Sequence, residues 1–123
     1  SDGDANVRAE AANALASYGV ARAWPLLKAA FDADSAWLVR CSILSALAEQ
    51  PEIDFGWLLD LASAAITDDD GTVRVSGAEI LGRIVRERAD QPIGQQARAL
   101  LLPLQQDGDH RVIAAALNGL QLR

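Results

Sequence analysis

The chain has 123 residues, a length that suits one domain, and Ala (24) with Leu (17) far outnumbers Val plus Ile (14), a balance that favours helix over sheet because Ala and Leu lose little side-chain freedom in a helix. Eleven basic against seventeen acidic residues give a net charge of −6, the wrong sign for holding phosphate backbones by counterion release, so nucleic acid is not an expected partner. No apolar run approaches the roughly 20 residues that span a bilayer, the single cysteine excludes an internal disulfide and suits a reducing cytoplasm, and the single histidine excludes a multi-histidine metal centre.

In chain order, Asp4 precedes an expected helix at 5–18, which Tyr18-Gly19 ends. A second helix is expected at 21–32 and a third at 36–49, closed by Gln50-Pro51. A fourth follows at 54–67 and a fifth at 71–89, closed by Ala89-Asp90-Gln91-Pro92. The sixth, 93–106, contains Pro103, which should kink it or end it early, and the seventh is 110–122. Gly after a helix and Pro near a helix start are the expected punctuation.

An internal repeat organises these elements. Val7–Leu15, Val39–Leu47, Val73–Leu81 and Val112–Leu120 each run from a valine through a small or aliphatic residue four or five places on to a Leu at the eighth. Those positions share one helix face and predict a buried stripe. Arg8, Arg40 and Arg74 follow their valines directly, whereas the fourth segment has Ile113 there and Arg111 on the other side. Asp4, Asp70 and Asp109 lie three residues ahead of their valines, where they can cap the first turn; the second segment has Ala36 instead. The valines are 32, 34 and 39 residues apart. A helix pair of that length cannot bury its apolar stripe alone, so the expected fold is all-α: an α-α superhelix of about seven helices, roughly three and a half repeats, as one domain over 1–123.

The run Ala23-Trp24-Pro25-Leu26-Leu27-Lys28-Ala29-Ala30-Phe31-Asp32, followed by Val39-Arg40 and Ala46-Leu47, resembles a HEAT repeat, and more narrowly the short HEAT-like repeats of phycobilisome lyase-type proteins. The match weakens in the later units, Leu58-Leu59 through Leu81 and Leu100-Leu101 through Val112. The resemblance implies an interaction scaffold rather than an enzyme, with a phycobilin lyase subunit or chaperone acting on phycobiliproteins as the alternative. It also implies that Asp and Arg of successive units pair along the stack, which makes Asp4, Arg8, Arg40, Asp70, Arg74 and Asp109 a structural ladder and leaves the last unit, with Ile113, unlinked. Opening on an unpaired second helix suggests a fragment of a longer array or an unusual amino-terminal cap, and solenoid ends left uncovered would promote self-association.

The second helices should line the concave face, with positions +3, +6 and +10 from each valine turned outward. The residues singled out there for binding a protein or peptide are Glu10, Asn13, Ser42, Ser45, Glu49, Ser76, Glu79 and Arg83. Trp37, beside Leu38 in the 32–38 turn, is the candidate exposed anchor, while Trp24 and Trp57 are expected to pack between units. Cys41 is expected to be an inert buried thiol and His110 a solvated residue. Asp68-Asp69-Asp70-Gly71 superficially suggests calcium, but the required bidentate Glu would be Glu79, already inside a helix, and capping explains the run. No phosphate loop, nucleophile elbow or paired metal motif occurs. A di-iron hydroxylase of this fold needs His-Glu pairs, and a DNA-repair glycosylase of this fold needs a cationic concave face; the chain offers neither. No catalytic residue, cofactor or metal is therefore assigned.

Overall fold

A computed structural model describes residues 4–50 and 53–121. Among them are seven α-helices, α1 (Ala5–Ser17), α2 (Val20–Ala33), α3 (Trp37–Ala48), α4 (Phe55–Ala65), α5 (Gly71–Glu87), α6 (Pro92–Leu101) and α7 (His110–Gln121), with a short 3-10 helix at Leu102–Gln106 and no strand. The expected helices are all present. Pro51 and Leu122 lie outside the described residues. No described helix is long and apolar enough to cross a membrane. The chain divides into two compact units, Ser1–Ile53 and Asp54–Arg123.

Caps and breakers fix the boundaries. Asp4, Asp54 and Asp70 accept hydrogen bonds from the backbone N–H groups of Asn6 (2.8 Å), Gly56 (2.7 Å) and Thr72 (2.7 Å), and Asp109 does the same for Arg111 (2.9 Å). Ahead of α3, Ala36 supplies no side-chain cap. Gly19 precedes α2 with φ of +115°, the one positive φ among the described residues, and a side chain there would be strained. Pro103 ends the sixth helix as expected: α6 stops at Leu101 and the chain tightens into the 3-10 turn, because the proline ring removes a donor and crowds the preceding turn.

In the first unit α1 packs on α3 and α2, and α2 on α3. The core is Leu27 and Phe31 of α2 against Val39, Ile43, Leu44 and Leu47 of α3, all at most 2% exposed. Here one expectation fails. The stripe Val7, Ala11, Leu15 does not enter the core: Val7 is 46% exposed, and α1 instead buries the alanine row Ala9, Ala12 and Ala16. Small side chains on that row allow a close approach of α1 to α2 and α3, while Val7 and Ala11 are exposed and Leu15 is half-buried beside α2. In the other three segments the stripe is buried at Val39, Val73 and Val112.

In the second unit α5 packs on α4, α6 and α7. Its contact with α7 is glycine on glycine, at Gly82 and Gly119. A Cβ on Gly119 would lie 3.1 Å from the Gly82 Cα and 2.7 Å from Leu101 Cδ1. Alanine in a helix interior normally gains about 1 kcal/mol over glycine, but here the added methyl meets backbone, so α5 and α7 must separate. Gly119→Ala is expected to destabilise the protein by about 1–2 kcal/mol, and urea unfolding of the variant against the wild type measures it; a stabilised variant would contradict the close crossing.

Candidate functional site

Two of the arginines that follow the valines, Arg8 and Arg74, each fix one repeat to the next. Arg8 of α1 grips Asp34, with Nε to Oδ2 at 2.6 Å and Nη2 to Oδ1 at 3.3 Å. Arg74 of α5 grips Asp107 in the same two-pronged way, at 3.0 and 3.1 Å. Each arginine is one residue after its valine, and each aspartate is five residues before the next repeat's valine. The same aspartates accept the backbone N–H two residues on, Ala36 for Asp34 (3.0 Å) and Asp109 for Asp107 (2.8 Å), which holds the carboxylate in place for the guanidinium. Arg74 also donates to the carbonyls of Asp68 (2.8 Å) and Asp69 (3.0 Å) in its own repeat. Arg40 likewise donates to the carbonyls of Phe31 and Asp34, and its guanidinium carbon lies 4.0 Å from the Phe31 ring centroid.

The ladder therefore runs through different aspartates from those expected. The carboxylates that Arg8 and Arg74 engage across repeats are Asp34 and Asp107, whereas Asp4, Asp70 and Asp109 cap their own helices. The signal was available in the sequence: Asp2, Asp34, Asp68 and Asp107 all stand five residues before a valine. At the last repeat, where Ile113 replaces arginine, Arg111 folds onto Asp109 (2.8 Å) and also donates to Thr72 Oγ1 (3.2 Å), so α7 still reaches back to the start of α5.

These bonds shift the carboxyl groups. The hydrogen bond from Arg8, offset by burial and reinforced by the Ala36 N–H, holds Asp34 below the usual carboxylate range. Burial pushes Asp107 up, but the bonds from Arg74 and from the Asp109 N–H outweigh it and leave the group lowered. Asp109, bonded by the Arg111 side chain and N–H, falls to about 2.

With α1 and α3 held in this register, a groove of about 440 Å³ opens along their C-terminal halves. Asn13, Ala16 and Ser17 form the α1 wall; Cys41, Ser42, Ser45, Ala46 and Glu49 form the α3 wall, with Gln50 just beyond. Of the residues singled out in the sequence, Asn13, Ser42, Ser45 and Glu49 meet here. Glu10 shares the outward face of α1 but lies one turn short of the lining. Ser76, Glu79 and Arg83 belong to α5 in the second unit, and Arg83 is engaged internally, 2.9 Å from Glu87 and 5.1 Å from the Phe55 ring centroid. Arg88 approaches the same ring at 4.4 Å. Trp37 is 49% exposed, and Trp24 and Trp57 are half-buried.

Cys41 departs from expectation: it is half-buried on the groove wall, not in the core. Position +2 from the valine sits about 200° round the helix, on the edge of the outward arc centred near +6, so counting that arc more widely would have found it. Chemically the groove offers hydroxyl and amide groups that both donate and accept, and one carboxylate, Glu49. No histidine stands among the described lining residues beside Ser42, Ser45 and Cys41.

Residues 1–48 match the family model for HEAT repeats. That stretch contains α1–α3, the Arg8–Asp34 link and nearly the whole groove wall. The fold of the described residues is all-α, consistent with HEAT-like repeats, and the match over 1–48 is to HEAT repeats, without a tie to phycobilisome lyases. No curated protein and no solved structure matches the chain.

The inter-repeat carboxylates make stability depend on acid. A lowered folded pKa contributes stability that is fully present above the unfolded value of about 4 and is lost as pH falls through the folded value. Asp107→Asn keeps the bond to the Asp109 N–H but removes the charge, so it should cost about 1–2 kcal/mol near pH 7. That difference from wild type should shrink as pH falls below the unfolded carboxylate value of about 4 and through the lowered folded value. Urea unfolding across pH tests it, and a pH-independent difference would count against the link.

Proposed function

We propose that the chain is a non-enzymatic interaction scaffold that holds a segment of a partner protein in the α1–α3 groove. The observation that carries this reading is the groove itself: two helices locked by a half-buried Arg–Asp bridge present a continuous lining of short polar side chains. Short side chains leave room for a partner's groups and lose little entropy on binding. HEAT repeats are commonly protein-interaction scaffolds, which agrees with a binding role. The bilin-chaperone alternative rests on the sequence resemblance alone, carried by Ala23–Asp32, Val39-Arg40 and Ala46-Leu47. The single cysteine accords with a cytoplasmic setting.

Ser45 is exposed in the middle of the α3 wall, so Ser45→Trp fills the groove without entering the core. Its unfolding free energy should stay within about 0.5 kcal/mol of wild type. Peptides selected on the folded wild-type protein from a random phage-displayed library should lose at least about tenfold in affinity for the variant. Selected peptides that bind both proteins equally would place the binding surface elsewhere.

A second reading, self-association, is favoured by a separate observation. Val7, Ala11, Leu15 and Tyr18 follow one stripe of α1, and beside it Leu26 of α2 walls a depression of about 250 Å³. Tyr18 is 80% and Leu26 59% exposed. Apolar side chains grouped in this way favour contact with another apolar surface. Sedimentation velocity should show a weight that rises with protein concentration, and Leu26→Glu should suppress the rise. A concentration-independent monomer would remove this reading and leave the groove unaffected.

A further inference from the structure

We infer that the groove selects an extended segment carrying an arginine or lysine, whose cationic end lies against Glu49 at the carboxyl-terminal end of α3. This rests on the groove being a peptide site and adds the chemistry of its occupant.

Three observations converge on a cation. Among the described residues of the lining, Glu49 is the only one with a charged side chain. Glu10 adds a second carboxylate one turn away on the same face of α1. The groove also runs along the C-terminal halves of both its helices, and neither α1 nor α3 has a basic residue in its last turn. Each such terminus carries about half a negative charge on carbonyls that lack intrahelical partners. Two helix ends and Glu49 thus place negative potential in one location, and no lysine or arginine among the described lining residues offsets it.

The cations of the first unit are directed elsewhere. Arg8 is on Asp34, Arg40 on the Phe31 and Asp34 carbonyls, and Lys28 on Asp32 at 3.1 Å, while Arg22 walls the separate Tyr18–Leu26 depression. An acidic segment would find hydrogen-bond donors in the groove but no described cation of the lining to offset repulsion from Glu49. A large apolar side chain would find Ala16 and Ala46 as its apolar contacts, among hydroxyl and amide groups that it would strip of water. A basic segment meets both demands. Its ammonium or guanidinium group neutralises the acidic end, and its peptide groups can exchange hydrogen bonds with Asn13 and Gln50, whose amides donate and accept at once.

The test uses the full chain and peptides selected from a random phage-displayed library, read by fluorescence polarisation. The expected result is enrichment of Lys or Arg in the selected sequences, affinity that weakens with added salt, and a loss of roughly threefold to tenfold on Glu49→Gln. Replacing the peptide's basic residue by glutamine should reproduce that loss, and the loss should not add to that of the Glu49→Gln protein. Peptides that Ser45→Trp blocks but that lack basic residues, or that ignore Glu49→Gln, would overturn the cation and leave the groove standing. A library that yields no peptide blocked by Ser45→Trp would overturn the groove, and the inference with it.

Discussion

The two-pronged bridge from an arginine of one repeat to an aspartate of the next is the constraint from which the rest of each unit follows. A guanidinium is planar and offers donors in a fixed fork, so it specifies distance and angle together. In Arg74 the fork spends two donors on Asp107 and another nitrogen on the carbonyls of Asp68 and Asp69, tying the loop of its own repeat to the loop of the following one. Asp107 is itself braced by the Asp109 N–H. A lysine could neutralise the aspartate but could not set that register. Both bridges are partly buried, with side-chain exposures of 31% and 16% for Arg8 and Asp34 and of 19% and 12% for Arg74 and Asp107. Solvent then screens them less than a surface pair, while desolvation takes back part of the gain. Their main effect is on which alignment of repeats is allowed rather than on how much stability results.

Departures from the pattern show what each position does. Ala36 replaces the capping aspartate, and α3 starts without a side-chain cap, yet Asp34 still accepts from the Ala36 N–H and still receives Arg8. Capping and bridging are therefore separate tasks carried by aspartates two residues apart. Ile113 replaces the bridging arginine, and the cation moves to Arg111, where it serves its own cap and reaches Thr72. The connection between α5 and α7 persists in a weaker, more exposed form, and the close passage of Gly82 by Gly119 holds the same two helices farther along.

The helices were legible because their signals are local: the periodicity of Val, small residue and Leu, the aspartates ahead of each helix, and Pro103 at its break all act within a turn or two. Half of the candidate site was legible for the same reason, since Asn13, Ser42, Ser45 and Glu49 point outward by helix geometry alone. What the sequence hides is which neighbour a face meets. Val7 and Val39 occupy equivalent positions, but α1 is packed through Ala9, Ala12 and Ala16, and that choice depends on the helices around it. The bridging aspartates escaped attention because carboxylates three and five residues before a valine look alike on paper. Only the loop's path turns one toward its own helix and the other toward the neighbouring repeat. Cys41 reads as a core residue by type, and the width of the groove exposes it.

The placement of bridge and groove bears on how such a unit can change its partner. Arg8 and Asp34 join α1 to α3 near their amino-terminal ends, while the groove is lined from Asn13 onward on α1 and from Cys41 onward on α3. At about 1.5 Å per residue, Arg8 lies roughly 8 to 14 Å along the helix from Asn13 and Ser17. Substitutions that far apart with no shared partner act nearly independently. The core residues Ile43, Leu44 and Leu47 alternate along α3 with Ser42, Ser45 and Glu49, so one helix face carries packing and the other lines the groove. The lining can thus be rewritten residue by residue, from hydroxyl to amide or from carboxylate to cation, while the bridge keeps the two helices in the same register. The chemistry of the groove is set mostly by side chains outside the core, at a width that the packing of α1 on α3 determines.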